Sequence, residues 1–284
     1  FAQVLEAFPQ GPHVAESHLR IGDYLVREGN DPVKAIESYS RAYETDPKGA
    51  YAGRALKGLA LARYETKDYA TAMDLFYRVV TEFSDAPLNE KTYLWTAQEL
   101  HTAKKYDESA RVLQALLTAM PNYASPNRVR FKIAECRELA GKTEEALQLY
   151  QAIVTEAPKS TEAVESWFRM GKLYETLNQP DKAFEMYQEA ANTNTGDTAA
   201  RARFRIGEIQ ESKGEFEAAA RSYMRVAILF LHEELSPESL WRAGQCYEKA
   251  NALEQARKVY NETVEEFPES GQAAKARERL AAMG

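Results

Sequence analysis

A small residue recurs along this chain of 284 residues at a nearly constant interval, and this interval constrains the fold more than any other feature. The intervals are 37, 37, 37, 37, 36 and 37 residues, and we call the recurring sites the marker positions: Ala35, Ala72, Ser109, Ala146, Ala183, Ala219 and Ala256. A fixed interval of this length indicates a repeat protein, in which each repeat is one supersecondary unit stacked on the next.

Each marker position belongs to one face of a predicted helix. A large residue follows it four positions later, at Tyr39, Phe76, Leu113, Tyr150, Tyr187, Tyr223 and Tyr260. A third residue of the same stripe follows seven positions after the marker, at Ala42, Val79, Leu116, Ile153, Ala190, Val226 and Thr263. The spacing i, i+4, i+7 defines one buried helix face.

A second small residue precedes each marker by twelve positions, and it predicts a partner helix. These residues are Ala60, Ala97, Ala134, Gly171, Gly207 and Gly244, with Gly22 one position earlier than the rule requires. A small side chain lets two paired helices approach closely. The sequence therefore predicts two antiparallel helices in every repeat. The first helix carries this small residue, and the second helix carries the marker.

The stretch from Trp167 to Ala190 shows both helices most clearly. It reads W-x2-M-G-x2-Y and then, from Ala183, A-x3-Y-x2-A, which resembles the tetratricopeptide repeat. The resemblance implies an all-α protein, an α-solenoid forming a right-handed superhelix. We expect about seven helix pairs with a C-terminal capping helix and no strands. The function implied by the family is binding to another protein.

We predict a single solenoid domain over residues 1–284. The predicted repeats span 13–47, 50–84, 89–121, 126–158, 161–195, 198–231 and 236–268, and the capping helix spans 273–284. Residues 1–9 match the spacing of residues 260–268, so the sequence is expected to begin inside a second helix. We therefore expect a further segment upstream of Phe1.

Helix boundaries are marked by familiar turn residues. A capping side chain followed by proline predicts the helix starts at Asp31-Pro32, Ser125-Pro126 and Ser236-Pro237. Gly141 and Gly214 are predicted to end first helices.

Residues 226–235 lack any helix breaker, so we expect the second helix to run long there. Two interpretations are possible for the contacts of Ile228, Phe230 and Leu231. They either pack beneath the next repeat or contact another chain.

Composition and motifs argue against several functional classes. A formal charge of -7 and a pI near 5.4 disfavour a nucleic-acid platform, which would need a basic face. The four histidines show no H-E-x-x-H arrangement, and the longest apolar run, 226–231, has six residues, too few for a membrane span. We therefore predict no enzyme activity, cofactor or metal site, and we assign Cys136 and Cys246 to packing.

The first helices supply the candidate binding site. By analogy with the family, the residue three positions before the small one faces a concave groove, and here the last four repeats carry an aromatic ladder of Phe131, Phe168, Phe204 and Trp241. The next residue is basic in each case: Lys132, Arg169, Arg205 and Arg242. Mostly acidic residues complete the wall: Glu135, Glu138, Lys172, Glu175, Glu208, Glu211, Gln245 and Glu248.

We predict that this groove binds a protein or peptide segment with apolar and basic residues. An internal role is the alternative, because an aromatic residue in this slot is part of the ordinary repeat consensus. The pairs Glu165/Arg169 and Glu238/Arg242 would then be helix salt bridges at i, i+4.

The repeat length points to a cellular setting. Three residues are added between successive helix pairs, giving signatures such as Phe267-Pro-Glu-Ser270, which resemble repeats of bacterial cell-envelope proteins. These include the Tol-Pal-associated periplasmic protein and the outer-membrane assembly lipoprotein. The resemblance implies a non-catalytic scaffold in a periplasmic or cell-envelope complex. There are two alternatives. One is a self-assembling solenoid, which would be a homo-oligomer, and the other is a regulatory domain of a larger enzyme.

Overall fold

The structure is a computed structural model that describes residues 1–7, 10–193, 196–230 and 234–283. These residues form sixteen α-helices and no strand. The predicted all-α class and α-solenoid organisation are therefore confirmed. Six of the seven second helices are 14 residues long, as a regular repeat requires.

The helices fall into two compact units. The first unit, Phe1–Lys142, contains α1 (Ala2–Ala7), α2 (Val14–Arg27), α3 (Pro32–Thr45), α4 (Ala52–Glu65), α5 (Tyr69–Glu82), α6 (Glu90–Thr102), α7 (Tyr106–Ala119) and α8 (Pro126–Leu139). The second unit, Thr143–Gly284, contains α9 (Thr143–Glu156), α10 (Thr161–Thr176), α11 (Pro180–Thr193), α12 (Asp197–Ser212), α13 (Phe216–Phe230), α14 (Leu235–Lys249), α15 (Leu253–Glu266) and α16 (Gly271–Ala282).

Sequential helices pack against one another inside each unit. The first unit contains the pairs α2–α3, α4–α5 and α6–α7, and the second contains α10–α11, α12–α13 and α14–α15, followed by α16. A solenoid forms contacts mainly between neighbouring repeats. The two contact units do not test whether the chain is one domain. The single domain over 1–284, with its repeat boundaries, stays a prediction.

The core of each unit is built from the marker stripe. In the second unit Ala183, Tyr187, Ala219 and Tyr223 are all completely buried. The tyrosine ring lies directly against the small residue of the first helix. A Cβ atom at Gly171 would lie only 2.5 Å from the Tyr187 ring, so only glycine fits this close approach.

Several predicted helix ends match the structure. The Asp31 carboxylate accepts a hydrogen bond from the Lys34 backbone N–H at 3.0 Å, and α3 begins at Pro32. Gly141 and Gly214 adopt left-handed φ values of 75° and 77° just after α8 and α12. Glycine adopts this conformation without a steric cost, which explains why the helices stop there.

Two predicted caps are corrected. Helix α14 begins at Leu235, so the predicted cap residue Ser236 lies inside its first turn and is completely buried. The turn accepts Pro237 because proline is tolerated anywhere in the first turn, where its missing N–H has no partner to lose. Ser125 does precede α8, but its side chain forms no capping hydrogen bond.

The segment without a breaker gives a mixed result. Within the described residues, helix α13 has 15 residues, one more than the other second helices, and reaches Phe230. Val226 and Ala227 are buried, whereas the side chains of Ile228 and Leu229 are 59% and 58% exposed. Packing beneath the next repeat is therefore wrong for Ile228. Phe230 is half-buried, and Leu231 lies outside the described residues.

Candidate functional site

The predicted ladder residues occupy equivalent places on four first helices. Phe131 lies on α8 in the first unit and is half-buried, together with Lys132, Glu135 and Glu138. The other three aromatic residues lie on α10, α12 and α14 in the second unit, and each is also half-buried.

Each aromatic residue of the second unit packs on the buried tyrosine of its own repeat. The ring centroids of Phe168 and Tyr187 are 5.6 Å apart, those of Phe204 and Tyr223 are 5.2 Å apart, and those of Trp241 and Tyr260 are 5.3 Å apart. These distances lie in the range where aromatic pairs attract each other, and the rings are tilted by 38° to 59°. One side of each ladder ring is thus fixed against the core.

A polar cluster links Tyr187 to the next repeat. The Tyr187 hydroxyl donates a hydrogen bond to the Glu175 carboxylate at 3.0 Å, and Arg205 donates to the same oxygen at 2.5 Å. Glu175 belongs to the same repeat as Tyr187, whereas Arg205 lies on the first helix of the following repeat. We call this arrangement the Tyr–Glu–Arg cluster.

The cluster recurs one repeat later. The Tyr223 hydroxyl donates to Glu211 at 3.1 Å, and the Arg242 guanidinium lies 3.6 Å from the same carboxylate. Arg242 also donates to the Tyr223 hydroxyl at 3.2 Å. Because Tyr223 is buried, its pKa is raised well above the ordinary value, so the hydroxyl keeps its proton.

The glutamate–arginine pair of the cluster recurs between the last repeat and the C-terminal helix. Arg279 on α16 donates to Glu248 at 2.8 Å, and this hydrogen bond lowers the pKa of the Glu248 carboxyl group. The capping helix therefore occupies the place that a further repeat would take. Its arginine completes the electrostatic pairing of the repeat before it.

The other predicted acidic residues of the second unit are paired as well. Glu208 lies 2.5 Å from Arg205 and 3.2 Å from Arg242, and Lys249 donates to Glu211 at 2.7 Å. Burial acts to raise the pKa of Glu211, but the bonds from Lys249 and Tyr223 and the charge of Arg242 outweigh it, so the pKa is lowered. The carboxylates are thus largely neutralised within the chain.

Several basic residues also contact their own helix or a ladder ring. Arg169 donates to Glu165 at 3.3 Å and Arg242 to Glu238 at 3.1 Å, which are the helix pairs considered from the sequence. The guanidinium of Arg242 lies 5.3 Å from the centroid of the Phe204 ring, within cation–π range. Of the remaining predicted residues, Lys172 is exposed and Gln245 half-buried.

The sequence pattern indicates the acidic and basic positions but does not show that they pair with each other. The carboxylate lies eight residues before its marker, and the arginine lies fourteen residues before the next marker, which separates them by 30 or 31 residues. The regular recurrence of opposite charges at this separation was the available signal. It also leads to Arg279, which the predicted site did not include.

Two further findings concern metal binding and membrane-spanning helices. No group of three or more His, Cys, Asp or Glu residues that could hold a metal ion occurs in the part of the chain that the structure describes. Among the described helices, none has the length and hydrophobicity needed to cross a membrane.

Comparison with known families explains the repeat pattern. Two family models, both described as tetratricopeptide repeat, match the chain, one at residues 128–160 and 238–270 and the other at residues 50–87 and 168–234. Together these ranges cover more than half of the chain. No match was found among curated protein sequences.

Three solved structures illustrate the backbone similarity. The MamA protein is 19% identical, with 62% of this chain and 90% of that chain covered and a TM-score of 0.48. A putative kinesin light chain of Podosopora anserina is 12% identical, with 61% and 92% covered and a TM-score of 0.44. A structure of Naa15/Naa10 bound to HypK-THB is 14% identical, with 96% of this chain and 39% of that chain covered and a TM-score of 0.65.

At such low identity, the likeness to the Naa15 complex shows a shared fold alone. Its backbone follows nearly the whole of this chain, and the family models match four separate stretches of it. The buried marker stripe and the close approach of Gly171 to Tyr187 give the physical basis for these matches. The chain belongs to the tetratricopeptide repeat family.

Proposed function

We propose that this chain is a non-catalytic scaffold that binds a protein or peptide segment along its aromatic ladder. The observation that carries the proposal is the recurrence of a half-buried aromatic ring at one position of successive repeats, at Phe168, Phe204 and Trp241. Rows of accessible aromatic side chains are typical anchors of protein interfaces. Phe131 continues the series in the sequence, on α8.

The packing behind the rings favours tight binding. Each ring is held against a buried tyrosine, at centroid distances between 5.2 and 5.6 Å. A side chain that is already immobilised loses little conformational entropy when a partner covers it. The rings are therefore suited to bind apolar side chains of an extended or helical segment.

Charge is expected to contribute less than the rings. Glu175, Glu208, Glu211 and Glu248 already have cationic partners from the neighbouring repeat. A basic residue on the partner would have to compete with these arginines and with Lys249. We therefore propose that apolar contacts set the affinity, and that a preference for basic residues adds a modest, salt-sensitive increment.

The proposed setting is the periplasm or a bacterial cell-envelope complex. The support is the 37-residue interval and the Phe267-Pro-Glu-Ser270 signature at the repeat junction. Expression of the intact gene product in its native host, followed by fractionation, tests this part. Recovery of the protein in the cytoplasmic fraction would contradict it.

A displayed library of random dodecapeptides, selected against the wild-type chain, tests the ladder directly. Selected peptides are synthesised, and their dissociation constants are measured for the wild type and for the double variant Phe168→Ala/Phe204→Ala. We expect affinity to fall more than about a hundredfold, because each fully covered anchor contributes about 2 kcal/mol and 1.4 kcal/mol corresponds to tenfold.

Both rings pack on core tyrosines, so the double variant needs a folding control. Circular dichroism and thermal unfolding establish that it remains helical at the assay temperature. Tyr24→Ala serves as the matched control, since Tyr24 is an aromatic residue of α2 that is 63% exposed and lies outside the ladder. If every selected peptide binds the folded double variant as tightly as the wild type, the ladder is not the binding site.

Self-assembly is a second candidate, favoured by the exposed pair Ile228 and Leu229 at the end of α13. Adjacent large apolar side chains with more than half of their surface in water are suited to pack against another copy. Light scattering across a range of concentrations tests this. Growth beyond a dimer that is abolished by Ile228→Ser/Leu229→Ser supports it, and a constant monomer mass excludes it.

A further inference from the structure

At the junction after the Ala72 repeat, aromatic residues replace all three residues of the Tyr–Glu–Arg cluster. In the register of the marker Ala72, Phe76 replaces the tyrosine and Tyr64 replaces the glutamate, and Trp95 of the next repeat replaces the arginine. A polar, charge-paired junction in the second unit thus corresponds to a wholly aromatic one in the first. A fourth apolar residue, Leu61, stands where the following repeats carry Gln98, Glu135, Lys172, Glu208 and Gln245.

The four apolar residues lie together, with Trp95 at the centre. Its ring centroid is 4.9 Å from that of Tyr64 and 6.0 Å from that of Phe76, both in edge-on geometry, and 6.0 Å from that of Tyr69. Leu61, Tyr64, Phe76 and Trp95 form the apolar walls of a surface cavity of about 230 Å³ between α4, α5 and α6. We call it the Trp95 pocket.

The Trp95 pocket is open to solvent. Tyr64 and Tyr69 are 40% and 46% exposed, and Leu61 is 37% exposed. Single exposed apolar residues are common on protein surfaces, but a cluster of them around a cavity marks an interaction site. Its volume is smaller than the roughly 300 to 1,000 Å³ of typical small-molecule sites, which favours one or two side chains as the occupant.

One cationic side chain lines this pocket, and a second lies on the preceding turn of α4. Lys91, in the first turn of α6, is exposed and belongs to the cavity lining. Lys57 lies one helical turn before Leu61 on α4, and its amine donates to the Pro87 carbonyl at 2.6 Å, close to the start of α6. Neither lysine has an ion-pair partner among the residues that the structure describes.

We propose that the Trp95 pocket binds a peptide segment that presents a large apolar side chain with an acidic residue next to it. The apolar side chain packs between Leu61, Tyr64 and Trp95, and the carboxylate pairs with Lys91. The start of α6 adds to the attraction, because the N-terminal end of a helix carries a partial positive charge. This site shares no residue with the ladder and stands independently of the proposed function.

Calorimetric titration with three capped nonapeptides tests the proposal. An acidic probe carries a central Leu-Phe pair flanked by glutamates, a basic probe carries lysines in place of the glutamates, and a polar probe carries Ser-Ser in place of Leu-Phe. Acetylated and amidated ends remove terminal charges. We expect the full-length chain to bind the acidic probe at least about tenfold more tightly than the basic probe, with no measurable binding of the polar probe.

Two surface variants connect the binding to the pocket. Leu61→Gln restores the residue found at this position in two other repeats, and we expect about tenfold weaker binding of the acidic probe. Lys91→Glu should weaken the acidic probe and reverse the preference toward the basic probe. Leu139→Gln is the matched control, because Leu139 is a leucine of the first unit that is 48% exposed and lies outside the cavity.

The remaining outcomes overturn the proposal. Wild type that binds none of the probes, or Leu61→Gln that binds the acidic probe unchanged, shows that the pocket is not a peptide site. If Lys91→Glu keeps the wild-type preference for the acidic probe, the proposed pairing of Lys91 with an acidic residue is wrong. If sedimentation shows a wild-type dimer that Leu61→Gln dissociates, the occupant is a second copy of the chain instead.

Discussion

Arg205 donates a hydrogen bond of 2.5 Å to the carboxylate of Glu175, thirty residues earlier in the chain. The same carboxylate accepts a hydrogen bond from the hydroxyl of the buried Tyr187. The Glu175 side chain therefore joins the two helices of its own repeat to the first helix of the next repeat. Solenoid stability depends on such interfaces between neighbouring repeats.

The first prediction concerns this carboxylate. Glu175→Gln removes the charge that Arg205 pairs with while keeping the shape of the side chain. Hydrogen bonds to charged groups contribute about 1.5–3 kcal/mol and exposed ion pairs about 0–1. Because Glu175 is 23% exposed and Arg205 41% exposed, we expect an intermediate loss of about 1–2 kcal/mol, measured by chemical unfolding.

Glu37→Gln is the matched control for that prediction. Glu37 pairs with Arg41 at 2.6 Å within α3, but both side chains are more than half exposed. Water and salt screen such a pair, so we expect a loss below about 0.5 kcal/mol. Equal effects of the two substitutions would show that Glu175 does not act between repeats.

The second prediction concerns pH. The pKa of Glu248 is lowered in the folded chain by its hydrogen bond to Arg279, relative to an ordinary value of 4.5. A carboxyl group of this kind stabilises the fold above its unfolded pKa, and the contribution is lost as pH falls through the folded pKa. The difference in thermal midpoint between wild type and Glu248→Gln should be present at neutral pH and disappear in acid below the folded pKa.

Thermal unfolding of both proteins from neutral pH down to acid checks this expectation. Arg279→Gln should reproduce the effect, because it removes the partner that lowers the pKa. A midpoint difference that stays constant over the whole range would contradict the assignment.

The third prediction concerns the close contact between small residues and tyrosine rings. A Cβ atom at Gly207 would lie 2.7 Å from the ring of Tyr223, which is completely buried. Overpacking of this kind costs about 1–3 kcal/mol, which exceeds the roughly 0.8–1 kcal/mol that alanine gains over glycine in a helix. Gly207→Ala should therefore lower the thermal midpoint.

Gly271→Ala is the opposing control. Gly271 begins α16, and a Cβ atom there would meet no other atom within 4 Å. The substitution should stabilise the chain by about 0.4–1 kcal/mol, because alanine restricts the unfolded state. A rise in midpoint for both variants would mean that the Tyr223 ring moves aside easily.

The fourth prediction concerns the two thiols. Cys136 and Cys246 are free and buried, and burial raises the pKa of Cys246 to about 12. Only the thiolate reacts quickly with disulfide reagents. At pH 8 we expect neither cysteine to react with Ellman's reagent in the folded chain, and both to react after unfolding in guanidinium chloride. Rapid native reaction would place at least one thiol at the surface.

The sequence determined the local structure of this protein. Two periodicities, one within each helix and one of about 37 residues between repeats, specify which residues are helical and which face is buried. The stripe through Ala183 and Tyr187 is completely buried, as its spacing predicts. These features follow from the spacing of residues along the chain, so they are readable without any tertiary contact.

Tertiary structure decided what the remaining side chains do. The spacing placed Glu175 and Arg205 on first helices, but only the packing of two repeats brings their atoms to 2.5 Å and neutralises the predicted acidic wall. In the same way, Tyr64 and Trp95 lie 31 residues apart and meet only because α4 and α6 are neighbours. Periodicity fixes the face on which a residue lies, whereas the offset between neighbouring helices, set by how their side chains interlock, fixes which residues touch.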